Sequence, residues 1–69
     1  MVAGYTLEDR TLAALKKGEH TLKALAAAVL LEHEIELQLD DVLYRLLVKE
    51  RVERVGTKPR RWRLIKEEG

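Results

Sequence analysis

The side chains best placed to do chemistry in this 69-residue chain are cations near its C-terminal end. Between positions 45 and 66 stand Arg45, Lys49, Arg51, Arg54, Lys58, Arg60, Arg61, Arg63 and Lys66, against only Glu50 and Glu53, so this stretch carries +7. Residues 1–44 carry four cations and eight carboxylates, or −4, and Glu67 and Glu68 add two more negative charges. The formal net charge of +1 therefore hides a polarised molecule, and a concentrated basic segment points to a polyanionic partner. Arg45 and Lys49 are one helical turn apart and share a face. Lys58, Arg60, Arg61 and Arg63 crowd a turn marked by Gly56 and Pro59. Phosphate contacts of such groups supply affinity and orientation, whereas an arginine forked onto a guanine edge supplies sequence choice. Tyr44 lies beside the Arg45 face. Trp62 sits among the arginines, where an indole either stacks on a ligand or closes the core, and in so small a domain packing is the expected role.

Other chemistries find less to work with. The chain has no cysteine and no serine, which removes the usual nucleophiles, disulfides and thiolate metal sites, and no pair of groups shows evident pKa tuning. No enzyme is expected. Glu32-His33-Glu34-x-Glu36 with Asp40-Asp41 is rich in hard ligands but fits no compact metal motif. These acids are expected on the surface or capping a helix, with neither metal nor cofactor.

These groups must be positioned by a single small domain spanning residues 1–69. Thr6 with Asp9 resembles a capping box opening a first helix, with Leu7, Leu12 and Leu15 as its apolar stripe. Lys16-Lys17-Gly18 is a helix stop. Glu19-His20 reads as a short extended link. Thr21 caps a second helix with Leu22, Leu25, Ala26 and Val29 on its core side, expected to run to about Glu32. This helix is apolar nearly all round: Ala24, Ala27, Ala28 and Leu31 form a second stripe, which marks a candidate homodimer surface. From His33 to Leu39 the alternation Glu34-Ile35-Glu36-Leu37-Gln38-Leu39 reads as a strand or as an extended turn. Asp40 and Asp41 then look like the N-cap and first-turn acid of a third helix, buried through Val42, Leu43, Leu46 and Leu47 and ending near Glu50. Arg51–Val55 and Arg61–Ile65 read as two short strands, with Trp62 and Leu64 on one face and Arg61, Arg63 and Ile65 on the other.

The expected fold is thus small α+β, three helices followed by a two-stranded β-hairpin. In this order the whole chain resembles winged helix-turn-helix domains, carried by Thr21-x-x-x-Leu25-Ala26, the Val42/Leu46/Leu47 ladder, and Val52 followed by a basic turn and Arg61-Trp62-Arg63-Leu64. The resemblance implies a third helix in the major groove of double-stranded DNA and a wing on its backbone, as in transcriptional regulators, with Tyr44, Arg45, Lys49, Lys58, Arg60, Arg61 and Arg63 as the nucleic-acid-binding residues. A narrower resemblance is to Zα domains, which bind left-handed DNA and RNA: Val42-Leu43-Tyr44, Pro59 and Trp62 stand at that family's spacing. Its Asn four residues before the Tyr and its Lys eight before are replaced here by Asp40 and Glu36, and its second wing proline by Arg60. A third reading is a protein-interaction module, since winged helices also serve that role.

The longest apolar run, Ala24–Leu31, is too short to cross a bilayer. Met1-Val2-Ala3-Gly4 leads directly into a capped helix, so no signal peptide and a cytoplasmic location are expected. A charged fraction of 36% with no Asn is the composition of a thermophile.

Overall fold

A computed structural model describes residues 5–65. Its elements run α1 (Leu7–Leu15), β1 (His20–Thr21), α2 (Leu22–Val29), α3 (Glu36–Val48), β2 (Val52–Val55) and β3 (Arg61–Leu64). It is a small α+β structure in which three helices pack on one three-stranded antiparallel sheet. The arrangement is compatible with a winged helix.

The first two helices start where their caps dictate. Thr6 Oγ1 accepts the Asp9 N–H at 3.1 Å while Asp9 Oδ2 accepts the Thr6 N–H at 3.2 Å, a reciprocal box that satisfies two free donors of α1. Thr21 Oγ1 accepts the Ala24 N–H at 3.1 Å and opens α2. Gly18, at φ 143°, ends the turn after α1 in a conformation that side chains rarely adopt.

The sheet has one strand more than expected. His20–Thr21 pairs with β3, His20 opposite Trp62 and Thr21 opposite Arg61, giving the order β1-β3-β2. A two-residue strand leaves no periodic signature, so only its extended character was legible. The hairpin itself forms where expected, with Val52 opposite Leu64 and Val55 opposite Arg61.

Two helix boundaries also differ from expectation. α2 stops at Val29 rather than Glu32, because Arg10 from α1 reaches in and its Nε donates to the Val29 carbonyl at 3.0 Å. Leu30 then turns extended. The Leu31 N–H is taken by the Glu34 carboxylate at 2.7 Å, and Glu34 N–H returns to the Leu31 carbonyl at 2.9 Å. α3 starts at Glu36, four residues before the expected N-cap. Ile35 is the N-cap; it has no side-chain acceptor, and the Gln38 amide oxygen accepts the Ile35 N–H at 2.8 Å. Asp40 and Asp41 are therefore not caps but lie in the second turn of the helix. The alternating pattern from Ile35 to Leu39 is no strand: Leu39 is buried, whereas Ile35 and Leu37 are exposed.

The core joins Leu15, Leu25, Val29, Leu39, Leu43, Leu46, Val52 and Trp62. Trp62, 8% exposed, packs into this cluster as expected, and Leu64 is half-buried against it. Thr11 is the one buried polar side chain among the described residues, and its hydroxyl donates to the Leu7 carbonyl at 2.8 Å.

Candidate nucleic-acid interface

The β2–β3 hairpin projects its loop through Gly56, whose φ of 77° is open to glycine and strained for other residues. Lys58 and Arg60 stand exposed in that loop, and among the described residues neither makes an ion pair. Lys49, at the C-terminal end of α3, is likewise exposed and without an ionic partner there.

The remaining expected cations are engaged. Arg61 Nε lies 3.0 Å from Glu19 Oε1. Arg63 meets Glu53 across the hairpin at 2.5 Å and Glu19 at 3.5 Å. Glu53 first, and Glu19 after it, favour the charged guanidinium and raise its pKa above the ordinary arginine value. Glu19 thus serves two arginines from the link before β1, and nothing in the linear sequence places it beside the wing. Arg54 covers the indole of Trp62, its guanidinium carbon 5.6 Å from the ring centroid.

α3 presents an unexpected face. Its inner side is Leu39, Leu43 and Leu46. By helical spacing, the opposite side carries Leu37, Asp41, Tyr44 and Val48, with Asp40 and Glu36 toward one edge and Arg45 toward the other. Leu37, Tyr44 and Val48 are 72%, 65% and 68% exposed. Arg45 does not project freely, for its NH2 lies 2.8 Å from Asp41 Oδ2 one turn earlier. From Glu36 to Val48 the helix holds three acids and one base, whereas residues 49–65 hold seven bases and two acids. The positive charge is therefore on the wing and at the C-terminal end of α3, while the outward face of α3 is apolar and acidic. The positions corresponding to the Zα Asn and Lys hold Asp40 and Glu36, and both fall on the same side of α3 as Tyr44.

The geometry of α3 rests on a clamp that the sequence did not announce. Arg10 NH2 contacts both Glu34 carboxylate oxygens at 2.6 and 2.7 Å, its NH1 donates to the Tyr5 carbonyl at 3.1 Å, and its Nε holds Val29. Both side chains are 12% exposed. The Leu31 N–H, together with the Arg10 guanidinium, holds the Glu34 carboxyl below its ordinary pKa. Glu34, one of the acids weighed above as a metal ligand, instead ties α1 to the turn that aims α3. The second stripe of α2, Ala24, Ala27 and Ala28, is exposed, as is Leu31 beyond the helix end. Among the described residues, no helix is long and apolar enough to cross a membrane.

Set against models of known protein families, curated proteins and solved structures, the chain matches none of them.

Proposed function

We propose that the protein is a winged helix-turn-helix that binds double-stranded DNA and acts as a transcriptional regulator, holding the phosphate backbone chiefly through its wing. The observation that carries this reading is a hairpin tip with two exposed cations, Lys58 and Arg60, that no carboxylate of the described residues neutralises. The strand order β1-β3-β2 behind three helices supports it. So does the place of Lys49 at the C-terminal end of α3, exposed and one turn beyond the Arg45–Asp41 pair. Arg61 and Arg63, engaged by Glu19 and Glu53, border this contact and add less to it than the two tip cations. The test is fluorescence anisotropy on random duplexes across a salt series: affinity falls steeply as salt rises, and a duplex that is not bound at low salt refutes the proposal.

A second reading, binding of left-handed nucleic acid, is favoured by the exposure of Tyr44 on the outward face of α3. It expects alternating CG duplexes to acquire a left-handed circular dichroism spectrum on adding the protein, and Tyr44→Ala to abolish it. Asp40 beside Tyr44, with Glu36 one turn further back, weighs against this reading, because carboxylates on that side repel the phosphates that the Tyr would approach.

A further inference from the structure

We infer that the outward face of α3 is the seat for the basic wing tip of a second copy of this chain. Six large apolar side chains are exposed among the described residues, and four of them, Ile35, Leu37, Tyr44 and Val48, belong to this face or its N-terminal edge. A shallow groove there is lined by Ile35, Leu37, Gln38, Asp40, Asp41 and Tyr44. Such a patch is usually an interaction surface. The alanine stripe of α2 is its rival, but alanines offer little area each, whereas α3 offers a leucine, a valine and an aromatic ring.

Charge selects the occupant. Glu36 and Asp40 have no ionic partner among the described residues, and Asp40 shares the groove with the Tyr44 phenol. A carboxylate beside an aromatic face is a site for guanidinium, which is planar, weakly hydrated, stacks on rings and forks onto carboxylates. The chain itself supplies that group: Arg60, with Lys58, stands at the hairpin tip without an ionic partner among the described residues. One molecule therefore displays both halves of a complementary contact on separate surfaces. In a two-fold pair each wing lies across the partner's α3, so the contact is made twice. A core of this size also gains from association. The inference does not rest on DNA binding, although DNA would compete for the same wing.

Sedimentation velocity of the full chain without nucleic acid tests this, on wild type, D40K/D41K and K58E/R60E. At about 50 mM salt the wild type sediments as a dimer, and it becomes monomeric as salt rises to several hundred millimolar, because the charges are exposed and screened. Each double variant alone is monomeric. An equimolar mixture of the two dimerises again, since reversed acids meet reversed cations and the native halves meet each other. Circular dichroism verifies the fold of each variant. Should either double variant lose its helical spectrum, D40K and R60E are run in the same way and decide the matter. A wild type that stays monomeric at low salt overturns the inference. So does a charge-reversed variant that still dimerises alone, which would move the contact to the α2 stripe or elsewhere, or a mixture that fails to pair. Anisotropy on DNA reads the other function separately, and either can fail without the other.

Discussion

Glu19 offers the sharpest perturbation of the proposed interface. Arg61 lies 3.0 Å from its carboxylate and Arg63 lies 3.5 Å away, with Glu53 as a further partner of Arg63. An arginine neutralised by a neighbouring carboxylate displaces few counterions from DNA, so in the free-standing chain Lys49, Lys58 and Arg60 are the nominated cations that count. Three phosphate contacts give a slope of log affinity against log salt of about −2.7, or an affinity loss of roughly 40-fold between ~50 and ~200 mM salt. Removing Arg60 leaves two contacts, and the loss over that interval falls to about 12-fold. Glu19→Gln works in the opposite direction. It frees Arg61 while Arg63 keeps Glu53, so the slope steepens to about −3.6 and the loss grows to roughly 150-fold, with tighter binding at low salt.

Fluorescence anisotropy on one random duplex, with wild type, R60A, R63A and E19Q titrated at four or five salt concentrations, measures all of these slopes together. The order of steepness expected is E19Q, then wild type and R63A together, then R60A. Equal changes for R60A and R63A would show that the ion pairs do not sort the wing cations. Weaker binding by E19Q would show that Glu19 positions Arg61 for contact rather than competing with the phosphate. Either result refutes the reasoning from unpaired charge.

The Arg10–Glu34 clamp makes stability depend on pH with a definite sign. The folded-state pKa of Glu34 is depressed, so its contribution is complete above the ordinary carboxylate pKa and is lost as pH falls through the lowered folded value. The melting temperature of Glu34→Gln should therefore lie below wild type at neutral pH and converge on it in acid, read by circular dichroism melts at a series of pH values; a constant gap would refute the assignment. Trp62→Ala removes a large side chain that is 8% exposed and should cost about 3–5 kcal/mol. That is comparable to the whole stability a core of this size supplies, so urea titration followed by circular dichroism should find the variant largely unfolded, while a cost under about 1 kcal/mol would mean the indole is held for ligand contact instead.

What the sequence displayed of this architecture depended on how local each signal was. Thr6, Thr21 and Gly18 act within three or four residues of themselves, and the starts of α1 and α2 and the stop of α1 could be read from them. Leu25, Val29, Leu43, Leu46 and Trp62 repeat at helix or strand spacing, and they form the core. Most of the failures involve partners distant in sequence. Arg10 ends α2 from 19 residues away, so no residue near Glu32 signals the stop. Glu34 looked like one acid in an acidic run because its guanidinium partner is 24 residues upstream. β1 exists only because Trp62 and Arg61 come alongside His20 and Thr21. The start of α3 failed for a different reason. Ile35, Leu37 and Leu39 alternate as a buried strand would, yet only Leu39 enters the core. The other two are apolar at exposed positions, which a pattern of hydrophobicity alone cannot distinguish from burial. The misread segment is therefore the same one whose exposed apolar side chains call for a partner. A residue set that violates the rule for a monomer's helix satisfies the rule for a helix at an interface, and the acids interleaved with it name the charge that the partner must bring.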